Sequence, residues 1–225
     1  MHAIKITNIF LTVTLGFITT LTGSGQGNAV KYDLFNMTEN NKLEVFNRII
    51  SSFADTDKKG IRFSKKENDG IAWLNGVEFS NGSIELDIRG KDAYQQSFVG
   101  IAFHGSDNKT LDVIYFRPFN FQSSDPVRKI HAVQYVSHPD NTWDILRNKY
   151  SGKYEKAVIP SPNGNEWFHV KILIKYPEVT VFVNGNSEPS LTIEKLNTRK
   201  TGKIGLWVGN NSDGDFANLQ ITPQN

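Results

Sequence analysis

The sequence predicts an all-β protein in which two antiparallel sheets pack face to face as a sandwich or jelly roll. Around a dozen short segments alternate apolar and polar residues, and turn signals separate them roughly every ten residues. Helical periodicity is scarce, and no repeat, linker or low-complexity tract divides the chain. A length of 225 residues suits a single domain of this kind.

The first 29 residues have the features of a secretory signal peptide. Lys5 precedes an apolar, threonine-rich run from Ile6 to Leu21, and small residues lead to Ala29. The run is shorter than the roughly 20 residues that a membrane span needs. We therefore predict cleavage after residue 29, export to the periplasm or cell exterior, and no membrane span in the mature chain.

Composition excludes several functions. The chain has no cysteine, which rules out disulfides, thiolate metal sites and cysteine nucleophiles. Its formal charge of +2 gives no electrostatic basis for binding nucleic acid. Nothing in the sequence indicates assembly, and we expect a monomer.

The segment 30–59 is predicted to pack on the sandwich as a strand and a short helix. Its stretch KLEVFNRIISSF (42–53) places apolar residues at helical spacing, so a short helix fits, but a strand is the alternative. The sandwich itself is predicted over residues 60–225.

From residue 60 onward the pattern is that of strands. The predicted strands of the middle region are 61–65, 71–74, 84–89, 97–105, 110–117, 130–137 and 156–160. Pro118 lacks an amide donor and ends the strand 110–117. A long loop, 120–128, follows it, and 143–147 is predicted as a strand or a single helical turn.

The last third alternates most clearly. WFHVKILIKY (167–176) places Phe168, Val170, Ile172 and Ile174 on one face. The strand 179–183 then runs into Asn184-Gly185, a dipeptide typical of tight hairpin turns. The stretches 190–196, 203–209 and 216–221 complete the predicted strands.

The strand GSIELDIRG (82–90) raises the question of an active-site row. Some retaining glucanases carry three acids at alternate positions of one strand, and Glu85 and Asp87 have that spacing. The third position is Arg89, which cannot give up a proton at working pH. A retaining glycosidase needs two carboxyl groups about 5–5.5 Å apart, flanking the bond. We therefore predict a half-buried strand with a charge ladder on its exposed face.

Four stretches carry a resemblance to a known superfamily. NGSIELDIRG (81–90), FVGIAFHG (98–105), VTVFVNG (179–185) followed by PSL, and KIGLWVG with DFANLQI resemble the concanavalin A-like lectins and glucanases. Within that group, residues 60–222 are most similar to laminin-G-like and 3-keto-disaccharide-hydrolase-like secreted bacterial domains. The resemblance implies a jelly roll with one concave sheet. It also implies proteins that bind or cleave glycans, with a structural calcium ion in many members.

The resemblance also suggests weak catalytic candidates. In the 3-keto-disaccharide hydrolases an acidic residue is expected on the strand that here carries Asp112. The family's arginine after a Gly-Ile pair is replaced by His104 in this chain. Asp112 and His104 could serve as an acid–base pair or as two metal ligands. His104 in place of the arginine departs from the family pattern and changes the chemistry available there.

A second group of residues is typical of sugar recognition. Tyr115 and Arg117 share a face, Gln134 and Tyr135 lie on the next predicted strand, and Trp143 follows. Aromatic faces stack on sugars, and planar amide or guanidinium groups match neighbouring hydroxyls. Gly100 and Ala102 could leave room for a ligand. The alternative is that the tyrosines are core residues and Arg117 forms a structural ion pair, with Asp112 or Asp125.

The loop NNSDGD (210–215) is the weak candidate for a metal site. Asp213 and Asp215 offer carboxylate oxygens suited to calcium, but the loop lacks the twelve-residue EF-hand pattern. A plain surface loop is the alternative.

These observations predict a secreted module that binds carbohydrate on its concave sheet. The first alternative is a glycoside hydrolase of the 3-keto-disaccharide-hydrolase type, using Asp112, His104 or Arg117. The second is a laminin-G-like module that binds another protein. The sequence leaves it open which face of the sheet Tyr115 and Arg117 occupy, because both faces of LDVIYFR are apolar enough to be core.

Overall fold

The computed structural model describes Met1 and residues 27–224, which fold into two antiparallel sheets packed as a sandwich. The predicted fold class is confirmed. The predicted signal peptide lies almost wholly outside the described residues. Within them, no helix is long and apolar enough to cross a membrane.

The first sheet has eight strands within the described part of the chain. They are β1 (Val30–Tyr32), β3 (Ile50–Ala54), β4 (Lys59–Lys66), β6 (Asn81–Arg89), β11 (Phe168–Lys175), β12 (Glu178–Val183), β13 (Leu191–Glu194) and β15 (Ser212–Gln224). Their order is β13-β12-β11-β6-β15-β4-β3, and β1 also pairs with β15.

The second sheet, with seven strands among the same residues, carries the candidate site. They are β2 (Leu43–Phe46), β5 (Gly70–Phe79), β7 (Val99–Gly105), β8 (Asp112–Phe116), β9 (Val133–Ser137), β10 (Glu155–Lys156) and β14 (Gly202–Val208). Their order is β10-β9-β8-β7-β14-β5-β2. Strands distant in sequence are therefore neighbours in space.

Four short helices connect the strands between residues 27 and 224. They are α1 (Leu34–Glu39), α2 (Pro118–Phe121), α3 (Pro126–Lys129) and α4 (Trp143–Lys149). The stretch 42–53 contains β2 and most of β3, as the strand alternative for this stretch predicted. The helix of the segment 30–59 is α1, which precedes this stretch. The predicted loop 120–128 contains the end of α2 and most of α3. Residues 143–147 belong to α4, so the helical alternative predicted for them holds.

The core lies between the two sheets. On β6 the side chains of Ile84, Leu86 and Ile88 are fully buried, and β11 places Ile172, Val170 and Phe168 directly beside them in register. The alternation predicted for 167–176 is confirmed, because buried and more exposed residues alternate along β11. Burial of this apolar surface is the main stabilising contribution available to a chain without cysteine.

The predicted turn at Asn184-Gly185 is confirmed. Both residues have positive φ, 51° and 69°, and the amide of Asn186 donates to the carbonyl of Val183 at 3.1 Å. This is the geometry that asparagine and glycine adopt at little cost.

Candidate functional site

A cleft of about 490 Å³ lies on the outer face of the second sheet. The register pairs Tyr115 of β8 with Gly100 of β7, and Gly100 with Trp207 of β14, so these three residues share one face. That face lines the cleft, and we call this cavity the outer cleft. The opposite face carries Ile101 and Ile114, which pack in the core. The volume is in the range of small-molecule sites.

Aromatic side chains form the floor and one wall of the outer cleft. Tyr115 packs against Trp207 with ring centroids 5.2 Å apart and against Phe98 at 6.2 Å. Phe119 of α2 continues the aromatic surface, since its ring lies 5.4 Å from Phe98 and 5.7 Å from Tyr94. Such faces suit the apolar face of a sugar ring.

A buried hydrogen-bond network fixes Arg117 at the base of the cleft. Its Nη2 donates to Tyr115 Oη at 2.5 Å and also to Gln134 Oε1, while Nη1 donates to the carbonyl of His131 at 2.9 Å. Tyr115 Oη in turn donates to Gln134 Oε1 at 2.7 Å. The guanidinium carbon lies 4.8 Å from the ring centroid of Tyr115. The arginine is therefore held in one orientation.

Glu155 of β10 neutralises the cations around this network. Arg147 Nε and Nη2 donate to its two carboxylate oxygens at 2.9 and 2.7 Å, and Arg117 Nη1 lies 3.6 Å away. His131 Nδ1 is 2.8 Å from the same carboxylate. Burial alone would raise the pKa of Glu155, but the hydrogen bonds and charge of Arg147, with the charges of His131 and Arg117, hold it below its usual value.

Two polar side chains that line the outer cleft have unused hydrogen-bonding capacity, and a buried indole N–H lies beside them. Among the described residues, the carboxylate of Asp69 and the ring of His138 form no hydrogen bond of good geometry. The buried indole N–H of Trp207 also has no partner there. Burial raises the pKa of Asp69 and lowers that of His138, while the charge of each opposes the shift of the other. The indole N–H lies near enough to Asp69 to lower its pKa somewhat. Asp69 and His138 are the groups that a ligand in the cleft would satisfy, whereas the indole N–H is buried and directed at Asp69.

Two arginines stack on aromatic rings that line the same cavity. Arg147 lies 5.2 Å from the centroid of Trp143, which is 51% exposed, and Arg128 lies 4.4 Å from that of Tyr94. Arg128 Nη2 donates to the carbonyl of Phe119 at 2.8 Å and its Nε to Asn120 at 3.2 Å. Helices α3 and α4 supply these two arginines, so the helices define one side of the cleft.

The structure places the five predicted sugar-contacting residues at different depths. Tyr115, Arg117 and Trp143 line the outer cleft, and Gln134 lies fully buried beneath them. Tyr135 points to the other face of β9, where its hydroxyl donates to Asp112 at 2.6 Å. It lies away from the cleft, because successive residues of a strand face opposite sides. Ligand binding by the other four stays a prediction.

Two further details of the predicted sugar site, the role of Gly100 and the ion-pair partner of Arg117, differ in the structure. Gly100 leaves no room for a ligand, since an added Cβ would lie 2.1 Å from the carbonyl oxygen of Ile114 and 2.8 Å from Tyr115 Cβ. Its lack of a side chain lets Tyr115 pack over β7. The ion-pair partner of Arg117 is Glu155, which replaces the two aspartates suggested by the sequence.

Asp112 and His104 lie in the interior and share a buried polar network. Both are fully buried, and Lys195 joins them, with its Nζ 3.1 Å from the carboxylate of Asp112 and 2.5 Å from His104 Nδ1. Asn197 and Arg199 also donate to Asp112, at 2.6 and 3.2 Å. Burial and the charge of Lys195 lower the pKa of His104 to about 4. Neither side chain lines the outer cleft, and a catalytic role for the pair stays a prediction.

Asp213 and Asp215, the predicted metal candidates, are paired with cations. Asp215 accepts bidentate bonds from Arg62 at 2.7 and 2.9 Å and also bonds Arg89, while Asp213 contacts Lys91. Calcium needs six to eight oxygen ligands, and these two carboxylates do not fit such a cage. Across the described residues, no group of three or more His, Cys, Asp or Glu side chains could hold a metal ion.

The charge ladder predicted on β6 is confirmed. Glu85 pairs with Lys171 at 3.1 Å, and Asp87 pairs with Lys58 and with His169 Nδ1, both at 2.8 Å. Arg89 pairs with Asp215 at 2.7 Å. Each charged side chain of the row is therefore engaged in an ion pair on the outer face of the first sheet.

Several residues of the outer cleft could not be recognised in the sequence. Asp69 lies in a polar turn, and His138 follows β9 without any metal-binding spacing. Glu155 belongs to a two-residue strand whose pairing with Gln134 is visible only in the structure. The WVG stretch of β14 marks Trp207 as a strand residue but does not say which face it occupies.

The fold is shared with carbohydrate-active proteins in known structures. Residues 31–222 match the family described as the 3-keto-alpha-glucoside-1,2-lyase-like domain. A galectin-like protein of unknown function from Bacillus subtilis is 11% identical and covers 90% of this chain and 99% of its own, with a TM-score of 0.59. The carbohydrate binding module CBM66 from the same organism is 15% identical, covers 80% and 95%, and has a TM-score of 0.56.

A further structure with this fold is the kappa-carrageenase of Pseudoalteromonas carrageenovora. It is 9% identical, covers 93% of this chain and 100% of its own, and has a TM-score of 0.54. At these identities the likeness concerns the fold alone. A comparison with curated proteins gives no match. Since the family match spans most of the chain, the protein belongs to the 3-keto-alpha-glucoside-1,2-lyase-like domain family.

Proposed function

We propose that the protein is exported and binds a glycoside in the outer cleft. The observation that carries the proposal is the pair of polar side chains with unused hydrogen-bonding capacity, Asp69 and His138, next to an aromatic floor that includes Trp207. A sugar offers both an apolar face and hydroxyl groups that donate and accept. The features of residues 1–29 and the carbohydrate-binding proteins of the same fold support export and a carbohydrate ligand.

Replacing Trp207 by Phe tests this binding site. The change makes the aromatic floor smaller and removes the buried N–H that faces Asp69, so we expect affinity for the glycoside to fall roughly fivefold, the equivalent of about 1 kcal/mol. Titration calorimetry of the purified protein against glucosides, their 3-keto forms and neutral disaccharides measures the effect.

Trp167→Phe is the matched control. Trp167 also has an indole N–H without a partner among the described residues, but it lies on the first sheet, stacked against Phe53 at 6.1 Å. We expect this variant to bind like the unchanged protein. Equal losses in the two variants, or no loss in Trp207→Phe, would show that the sugar binds elsewhere.

A second candidate function is elimination on a 3-keto-glucoside, favoured by Asp69 and His138. A carbonyl at C3 acidifies the C2–H bond. His138 would accept that proton, the C1–O bond would break as the C1=C2 double bond forms, and Asp69 would protonate the departing oxygen. A histidine kept neutral and a carboxyl group with a raised pKa are suited to these roles. Arg117 would lie near the negative charge that develops.

Asp69→Asn and His138→Gln test the reaction. Each is expected to lower the rate of aglycone release from a 3-keto-glucoside by about 10²-fold or more. The matched control is His169→Gln, because His169 faces outward on the first sheet and pairs with Asp87. Mass spectrometry separates elimination from hydrolysis, since the eliminated sugar lacks one water. A rate that neither variant lowers would exclude this pair.

A further inference from the structure

We infer that the outer cleft accepts a glycan carrying an anionic group, a carboxylate or a sulfate ester, held by Arg128 and Arg147. The inference rests on the proposed function and adds a substrate class to it. It follows from the balance of charges around the cavity, from the hydrogen bonds each arginine already makes, and from the rings that orient them.

Positive charge exceeds negative charge on the side of the cleft formed by α3, α4 and the end of β8. Arg117 and Arg147 share the single carboxylate of Glu155, which is 2% exposed and also lies against His131. Arg128 forms no ion pair with any acid of the described chain, and it lines the same cavity. The other acid of the lining, Asp69, has a raised pKa and comes from the loop before β5. An uncompensated cation near a partly closed cavity attracts anions.

Both arginines also keep one amino group unused. The hydrogen bonds of Arg128 involve Nε and Nη2, and those of Arg147 involve Nε and Nη2 as well. Among the described residues, Nη1 of neither arginine donates a hydrogen bond. Neither Nη1 belongs to the fully buried polar atoms that lack a partner. Each guanidinium is fixed by bonds on one edge and by the ring beneath it, Tyr94 or Trp143. Two pre-oriented donors of this kind suit a carboxylate or a sulfate.

Matched disaccharides separate charge from sugar recognition. Calorimetric titration would compare cellobiose, its uronic acid analogue and its 6-O-sulfated analogue at about 0.05 M and 0.5 M salt. We expect the acidic sugars to bind about tenfold more tightly than cellobiose at low salt, and this preference to shrink at high salt. Preference for only the uronate or only the sulfate would identify the anion. Equal affinity for all three sugars would overturn the inference while leaving the proposed function intact. Binding of none would contradict both.

Variants of α3 distinguish a role of charge from a role in the fold. Arg128→Gln and Arg128→Lys both lose the geometry that holds the carbonyl of Phe119, but only Gln removes the charge. We expect Arg128→Gln to lose most of the preference for acidic sugars and Arg128→Lys to keep about half of it or more. The matched control is the adjacent, exposed Lys129→Gln, which removes the same charge outside the cavity lining. Equal effects of Arg128→Gln and Lys129→Gln, or of Arg128→Gln and Arg128→Lys, would overturn the inference.

Discussion

Replacing Asp112 by Asn is expected to lower the free energy of unfolding by about 3–5 kcal/mol, because it leaves the buried ammonium of Lys195 without its counter-charge. The side chains of both residues are fully buried. The neutral ring of His104 accepts from Lys195 but contributes no charge. Asn keeps the shape of Asp112 but offers one acceptor oxygen to Tyr135, Asn197 and Arg199, which use the carboxylate now. Urea unfolding followed by tryptophan fluorescence measures the change.

Two further variants make this result specific. Asp57→Asn removes the same charge at an exposed position and is expected to change stability by less than about 0.5 kcal/mol. The double change Asp112→Asn with Lys195→Met removes both buried charges, keeps an acceptor oxygen at position 112, and is expected to recover most of the loss. A stable Asp112→Asn protein that has lost activity would instead return Asp112 to the catalytic role suggested by the family resemblance.

Replacing Glu155 by Gln is expected to lower the free energy of unfolding by about 2–3 kcal/mol and to weaken glycoside binding at least tenfold. Gln cannot accept both bonds from Arg147, and it leaves Arg117 and Arg147 without their shared negative charge. The loss is smaller than for a fully buried pair because the side chain of Arg147 is 32% exposed and can be rehydrated. Binding suffers because Arg147 and Trp143 lose their fixed position.

The pH dependence gives a separate check on Glu155. Its pKa is lower in the folded protein than its ordinary value of 4.5. Its contribution to stability is therefore fully present above that value and is lost as the pH falls through the folded pKa. The difference in stability between the unchanged protein and Glu155→Gln should shrink in that acidic range. The exposed Glu166→Gln is the control, expected to change the free energy of unfolding by less than about 0.5 kcal/mol. A difference that is constant down to about pH 2 would contradict the assigned role.

Asp112 and Glu155 act in different parts of the same sheet. Both are almost fully buried acids, and each is surrounded by cations. Asp112 faces inward with Tyr135, whereas Glu155 pairs in register with Gln134 and supports the outer cleft. Of the two acids, the one that the family resemblance favoured is expected to stabilise the fold. The other, which no motif marked, positions the residues of the candidate site.

The sequence by itself determined the class of fold and most strands of the first sheet, though it left the stretch containing β3 open between helix and strand. On β11 every second residue is core and the others are more exposed, so a period of two is visible in the sequence. In GSIELDIRG the charged residues alternate with apolar ones in the same way, and this alternation was sufficient to predict a charge ladder on one face of the strand. Asn184-Gly185 marked a turn because few other residue pairs adopt positive φ at two successive positions.

Only the tertiary structure decided where the candidate site lies. Every residue of β8 is buried, because one face of the strand packs in the core and the other is covered by the aromatic residues and short helices that wall the outer cleft. With both faces buried, alternation disappears, and the sequence could not tell Tyr115 on the outer face from Tyr135 on the inner face. The cleft also brings together Asp69, His138 and Trp207, which are distant in sequence. Their proximity depends on the order of the strands in the second sheet, and no local sequence pattern predicts it.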